Sequence, residues 1–78
     1  MIKHLNTQKT AVKINANDEF NGVNEEYKTI DEIFHEGWNL LLQSVSVDTY
    51  TAYDVLLLKN SEGKFFEIWF DISAFYGK

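Results

Sequence analysis

The residues with the greatest capacity for chemistry are carboxylates concentrated between positions 18 and 36. They are Asp18, Glu19, Glu25, Glu26, Asp31, Glu32 and Glu36, and Lys28 is the one basic residue among them apart from His35. A dense group of acids predicts a negative surface that docks on a basic patch of a protein partner. The alternative interpretation is a solvated surface that is kept charged for solubility.

One segment of this stretch weakly matches a metal-binding motif. Asn17 to Gly22 begins like an EF-hand loop, with oxygen-bearing side chains at alternate positions and glycine at the sixth. The twelfth position, where a bidentate glutamate should close the calcium shell, is Lys28, and its charge would repel the ion. The sequence therefore predicts no calcium site. His4 and His35 are too far apart along the chain to form a zinc-binding pair such as H-x-x-H.

The sequence gives equally little support for a catalytic site. His35 follows Asp31 by one helical turn, but no nucleophile lies beside it in the sequence for it to activate. Glu67 and Asp71 share one face of a predicted strand, but they would be about 13 Å apart, too far to flank a single glycosidic bond. The chain has no cysteine, so no thiolate can act as a nucleophile. We therefore expect no catalytic residues, no cofactor and no enzymatic activity.

Aromatic residues form the second group that could act on a partner. Tyr50, Tyr53, Phe65 and Trp69, with Tyr76, are predicted to line an exposed sheet surface. Tyrosine and tryptophan are enriched among the residues that dominate protein–protein binding energy. The alternative is that a second layer covers them, either the N-terminal segment or a symmetric partner chain.

Composition narrows the classes of partner. The 78 residues have a formal net charge of −5, and arginine is absent. Nucleic acids and anionic membranes are bound largely through lysine and arginine contacts to phosphate, so neither is an expected direct partner. The polar start of the chain is unlike a signal peptide, and no apolar run is long enough to span a bilayer. We expect a cytoplasmic protein that folds as one small α+β domain over residues 1–78.

The first half of the chain is predicted to contain β-structure. Residues 1–8 are polar and expected to be loosely ordered, and the alternation of Val12, Ile14 and Ala16 predicts a half-buried strand. Asn21-Gly22 is a strong hairpin signal, because both residues accept positive φ. A second strand over residues 23–28 would follow, although glutamate and asparagine are poor strand formers, and its formation is left open.

A helix is predicted next. Its apolar positions follow helical spacing: Ile30, Ile33, Phe34, Trp38, Leu41, Leu42 and Val45. Thr29 and Glu32 have the spacing of a capping box at its start. Gly37 leaves two alternatives: the helix continues to about Val45, which the unbroken stripe favours, or it ends at Gly37 and the chain turns into a strand.

The last third of the chain is predicted to form a β-hairpin. Strands over Tyr53 to Lys59 and Lys64 to Ile72 flank a turn in which Gly63 supplies the left-handed residue. Phe66, Ile68, Phe70 and Ile72 alternate on one face of the second strand and should pack against the helix. The predicted fold is α+β: a small antiparallel sheet of three to five strands, packed on one face by a single amphipathic helix.

These observations favour binding over catalysis. The first hypothesis is a small acidic protein-binding module, and its sharper form is a phage or mobile-element inhibitor that occupies the nucleic-acid-binding surface of its partner. The second is a self-assembling subunit that forms a homodimer through the aromatic sheet face. The third is a small-ligand binder of unspecified type.

Overall fold

Within residues 1–77, one α-helix packs against one face of a five-stranded mixed sheet. The structure is a computed structural model and describes residues 1–77. Its elements, in chain order, are β1 (Ile2–His4), a 3₁₀ turn (Gln8–Thr10), β2 (Val12–Lys13), α1 (Glu19–Phe34), β3 (Asn39–Val47), β4 (Ala52–Lys59) and β5 (Phe65–Asp71). The α+β prediction, with one helix and three to five strands, is confirmed.

The sheet has the order β1-β5-β4-β3, with β2 also paired to β5. Strands β3, β4 and β5 form an antiparallel meander, whereas β1 and β2 run parallel to β5. The sheet is therefore mixed, where the sequence pattern suggested an antiparallel one. The parallel pairs arise because α1 returns the chain across the sheet between β2 and β3, so that β3 and β5 run in the same direction as β1 and β2.

The first eight residues, expected to be loosely ordered, instead take part in the sheet. Ile2–His4 pairs with residues 65–67 of β5. Beyond β1, the side chain of Asn6 accepts a hydrogen bond from Trp69 N at 2.7 Å and donates one to Trp69 O at 3.0 Å. The edge of β5 would otherwise leave these backbone groups unpaired, and satisfying them holds the N-terminal segment in place.

The helix begins earlier than predicted. Asn21-Gly22 is not a hairpin and residues 23–28 are not a strand, since both lie inside α1. Asp18 is the N-cap and accepts a hydrogen bond from Asn21 N at 2.9 Å. The buried positions of this helix include Gly22 and Glu26. Because neither residue is apolar, the helical periodicity of this stretch is hidden in the sequence.

The helix also ends earlier than the favoured alternative. It stops at Phe34, and His35 and Gly37 follow with φ of 65° and 83°. The second alternative, a helix that ends near Gly37 and turns into a strand, is correct, and continuation to Val45 is wrong. Thr29 lies within the helix, where its hydroxyl donates to Glu25 O at 2.9 Å instead of capping.

The predicted C-terminal hairpin is confirmed. Strands β4 and β5 pair from Tyr53 with Asp71 to Lys59 with Phe65. In the connecting turn, Asn60 Oδ1 accepts hydrogen bonds from the backbone N–H groups of Glu62 and Lys64, and Gly63 has φ of 81°.

The core lies between α1 and the sheet. Its buried apolar residues are Ile14, Ile30, Ala52, Leu56, Leu58, Ile68, Phe70, Ile72 and Phe75. The ring of Phe34 on the helix lies 4.9 Å from that of Phe66 on β5, between centroids. The predicted helix-facing set of β5 therefore does pack toward the helix.

Candidate functional site

The sheet has a second face, which the helix does not cover. Along β4, Ala52, Asp54, Leu56 and Leu58 are buried toward the helix, while the alternating residues Tyr53, Val55 and Leu57 point the other way and stay half-buried. Strand β5 repeats the pattern, with Phe65, Glu67 and Trp69 on this second face. We call the residues Leu42, Tyr53, Val55, Leu57, Phe65 and Trp69 the open sheet face.

Three aromatic side chains lie on the open sheet face. Tyr53 and Trp69 contact edge to face, with ring centroids 5.6 Å apart, and Phe65 is 37% exposed. Tyr50, however, lies in the turn between β3 and β4, and Tyr76 lies in the turn after β5. The structure therefore brings Tyr53 and Trp69 together, places Phe65 at the other end of β5 on the same face, and leaves Tyr50 and Tyr76 outside it.

A shallow groove crosses the open sheet face. It measures ≈ 200 Å³ and is lined by Ile2, Leu42, Ser44, Val55, Leu57 and Glu67. Antiparallel sheets that face water on one side normally carry polar residues there. An apolar groove in this position is typical of a surface that another molecule covers.

Glu67 is the acidic centre of this face. Its Oε1 lies 2.8 Å from His4 Nδ1 and accepts a hydrogen bond from Trp69 Nε1 at 3.0 Å. Partial burial opposes ionisation, but the hydrogen bonds from Trp69 and His4 and the charge of His4 outweigh it, so the pKa of Glu67 is lowered. The site thus holds an ionised carboxylate, paired with His4, among apolar side chains.

The edge strand β3 extends this surface. Among residues 1–77 it pairs only with β4, and its Leu42, 61% exposed, lies on the open sheet face, whereas Val45 and Val47 register with Asp54 and Ala52 and lie on the helix side. No charged residue interrupts residues 39–47. A strand after Gly37 was the less favoured alternative because these residues also fit a helical stripe, although the alternation of Ser44 and Ser46 with Val45 and Val47 is a strand signal.

The predicted acidic residues lie elsewhere. Asp18, Glu19, Glu25, Asp31, Glu32 and Glu36 are exposed on α1 and its ends, on the helix side of the sheet, and we call them the acidic helix surface. Two of them also have local roles: Asp18 caps the helix, and Asp31 accepts a hydrogen bond from Trp38 Nε1 at 2.6 Å. The acids and the aromatic residues therefore form two separate surfaces, not one.

Glu26 does not belong to either surface, so its expected role in contacting a partner at the surface is wrong. It is 1% exposed and lies in the core beside Asp54, which is 3% exposed. Burial first, and then the hydrogen bonding and the charge of Asp54, raise the pKa of Glu26 to about 9. Neither Glu26 oxygen has a hydrogen bond of ordinary geometry to the described residues.

Within residues 1–77, no group of three or more histidine, aspartate or glutamate side chains is arranged to hold a metal ion. The helix in this part of the chain is not long and apolar enough to cross a membrane. Comparisons with protein-family models, with curated proteins and with solved structures gave no significant match.

Proposed function

We propose that this domain is a protein-binding module whose docking surface is the open sheet face and the adjoining edge strand β3. The observation that supports this most directly is the apolar and aromatic character of a sheet face that the helix leaves uncovered. Tyrosine and tryptophan contribute large contact area at little entropic cost, which suits them to such a surface. Strand β3 adds backbone groups that an extended partner segment can pair with.

The chemistry of the partner follows from charge. Glu67 is held ionised in the groove by its neighbours, and the whole chain has a net charge of −5. A partner with apolar side chains for the groove and basic residues around them would complement both features. This is the protein partner with a basic surface that the composition predicted.

The test compares two exposed apolar residues on different surfaces. Leu42 lies on the open sheet face and is 61% exposed, whereas Ile33 lies on the helix and is 45% exposed. The partner is captured with the full chain as bait, identified by mass spectrometry, and purified for titration. We expect Leu42→Ser to weaken its binding at least about tenfold and Ile33→Ser to leave it unchanged. Equal affinity for both variants would contradict docking on the sheet face.

The alternative occupant of the same face is a second copy of the chain. A symmetric dimer would bury the groove of each protomer against the other. Light scattering of the purified protein at micromolar concentration decides between the two: a dimer that Leu42→Ser converts to a monomer supports self-assembly. A monomer that still captures a different protein supports the binding module.

The acidic helix surface supports a second candidate function, docking on a basic protein surface that normally holds nucleic acid. Its exposed carboxylates are opposed within residues 18–36 only by Lys28 and, when it is protonated, His35. An inhibitor from a phage or mobile element would act in this way.

Charge reversal separates this candidate from the first. We expect the double variant Glu25→Lys, Glu32→Lys to slow association with the partner, and added salt to slow association of the unchanged chain. Glu62→Lys, in the exposed turn between β4 and β5, serves as the matched control. Association that is indifferent to both salt and the double variant would exclude the acidic helix surface.

A further inference from the structure

The two edges of the sheet differ in how they are protected from pairing with another strand. At one edge, β1 and β2 are three and two residues long, and each contains a lysine, Lys3 or Lys13. Short strands and lysine side chains are two of the means by which natural proteins block pairing at an edge. At the other edge, β3 has nine residues without a charge or a proline. The chain therefore protects one edge and leaves the other able to accept a strand.

The regular part of β3 sets the length of a strand that could be added. A bulge interrupts the register between Leu40 and Leu42, and from Leu42 to Val47 the pairing with β4 is continuous. This range spans about 20 Å at the rise of a β-strand. Among residues 1–77, β3 has no strand neighbour on the side away from β4, and no backbone hydrogen bond from a turn or loop reaches it. Its outward N–H and C=O groups have the spacing of a β-ladder, which an extended segment can pair with and a helix cannot.

The side chains of this range define what an added segment presents on each face. Val45 and Val47, 50% and 61% exposed, lie on the helix side of β3, whereas Ser44 and Ser46 are exposed on the other side. Across neighbouring strands, apolar side chains pair favourably with β-branched ones, and hydroxyl groups pair with threonine or serine. The segment that fits therefore alternates, with β-branched apolar residues on one face and hydroxyl-bearing residues on the other.

Charge restricts the ends of the segment. No charged residue occurs within β3, so a charge in the middle of an added strand would have no opposite charge beside it. Asp48 follows β3 directly, and its exposed carboxylate accepts hydrogen bonds from Thr49 N at 2.6 Å and from Gln8 Nε2 at 3.5 Å. Neither donor is charged, so a basic residue at the end of the segment would be attracted to Asp48 and to the net charge of −5.

We infer that β3 binds an extended segment of the partner as an added strand at the edge of the sheet. The segment pairs with Leu42–Val47, alternates β-branched and hydroxyl-bearing residues, and has a basic residue at the end beside Asp48. The inference rests on the proposed function, because it specifies how the partner uses β3 and leaves the remaining contact to the open sheet face. A second copy of the chain fits this edge less well, since it brings the same acid after β3 and the same net charge of −5.

The probe is a synthetic peptide, acetyl-Lys-Thr-Val-Thr-Val-Thr-Val-Lys-amide, titrated into the full chain labelled with ¹⁵N. We expect saturable shifts in the amide signals of residues 42–47 and slower hydrogen exchange at alternate residues of this range. Two further versions of the peptide carry N-methyl groups, one on its threonines and the other on its valines. Because alternate N–H groups of a strand point to opposite sides, one version should lose binding and the other should retain it.

Variants of the chain test the edge itself. Val47→Lys removes a cross-strand valine at an exposed position of β3 and repels the basic end of the peptide, so we expect binding at least about fivefold weaker. Ile33→Lys makes the same kind of change at an exposed position of α1 and should leave the affinity unchanged. A peptide of the same composition with both lysines at its centre should also bind more weakly than the original.

Absence of saturable shifts, equal behaviour of the two N-methylated versions, or unchanged affinity of a folded Val47→Lys variant would each overturn the inference. A dimer of the free chain in which β3 is already protected would also overturn it, since the edge would then belong to a second copy. Failure of the inference is distinguishable from failure of the proposed function. A partner whose binding depends on Leu42 but leaves β3 amides unprotected retains the docking surface and removes only the added strand.

Discussion

At the scale of single residues, the most consequential group is the buried carboxyl of Glu26. A small domain gains little net stability from its one core, so an unpaired polar group in that core is a substantial cost. Glu26 reduces the cost by retaining its proton, because with a pKa of about 9 it is neutral near pH 7.

This burial predicts an unusual dependence of stability on pH. The unfolded chain releases the Glu26 proton near pH 4.5, whereas the folded chain holds it until about pH 9. Between these values the folded state binds more protons, so the free energy of unfolding falls as pH rises. Each tenfold difference in ionisation constant is worth ~1.4 kcal/mol, and we expect a loss of a few kcal/mol across the range.

Urea denaturation at a series of pH values checks this expectation. Glu26→Gln should remove most of the fall in the free energy of unfolding that occurs above the pH range in which ordinary carboxyl groups titrate. Near pH 9 this variant should be more stable than the unchanged chain. Glu25→Gln, exposed on the same helix, should retain the decline. If Glu26→Gln and the unchanged chain lose stability in parallel, Glu26 does not hold its proton in the folded state.

Gly22 is a second residue whose role depends on what it contacts in the folded chain. It is buried near the start of α1, at a helical position where alanine would normally be more stable than glycine by up to about 1 kcal/mol. Here an added Cβ would overlap the ring of Phe75, which packs directly against the helix backbone. We expect Gly22→Ala to destabilise the fold by ~1–3 kcal/mol, through displacement of the ring.

Asn24→Ala, at an exposed position of the same helix, should be neutral or stabilising. Thermal unfolding of both variants measures the difference. A stabilised Gly22→Ala variant would mean that Phe75 moves aside without loss.

At the scale of elements, one side chain helps to fix the N-terminal segment to the sheet, because it makes the hydrogen bonds that the backbone of a strand residue would otherwise make. Asn6 donates to and accepts from the backbone of Trp69, between the short strands β1 and β2. Strand β1 registers with β5 over three residue pairs and β2 over two, so strand pairing alone would hold the segment weakly. The asparagine links them into a continuous edge along β5.

Removal of this link should loosen the whole segment. We expect Asn6→Ala to cost ~1–3 kcal/mol, because it leaves partly buried backbone groups of Trp69 without partners. The amides of β1 should also exchange faster with solvent. Asn15→Ala, at an exposed position after β2, is the matched control and should change neither quantity. Unchanged exchange in β1 after Asn6→Ala would show that the strand pairs hold the segment unaided.

The elements also differ in how far the sequence predicts them. The β4–β5 hairpin follows from alternation and from Asn60 and Gly63, which are local signals. The start of α1 was missed because Asn21-Gly22 favours a turn in isolation, whereas the N-cap Asp18 and the contact of Gly22 with Phe75 stabilise a helix. Residues 38–45 fit two periodicities, and only pairing with β4 decided between them.

At the scale of the whole molecule, the sheet separates two chemically different sides. The helix side contains the core and the acidic helix surface, while the other side presents apolar and aromatic groups around Glu67. A partner of ordinary size cannot cover both sides as one flat interface. The proposed functions of the two sides are therefore separable by experiment.

Amide hydrogen exchange of the whole chain tests this arrangement. Strands β4 and β5 are flanked on both sides, so their amides should exchange most slowly, near the rate set by global unfolding. Amides of β3 that point away from β4 should exchange fast in the free protein. On binding of the partner they should become protected, together with the open sheet face. Protection confined to α1 would instead favour the acidic helix surface.

The sequence by itself determined the α+β class, the C-terminal hairpin and the acidic, arginine-free composition, because these depend on local alternation, turn residues and counts. Only the tertiary structure decided that Glu26 is buried, that the N-terminal segment joins β5, and that acids and aromatic rings lie on opposite sides of the sheet. The physical reason is that these features depend on contacts between residues far apart in the chain. Local propensity is too weak to specify such contacts when glycine, glutamate and asparagine occupy the positions that make them.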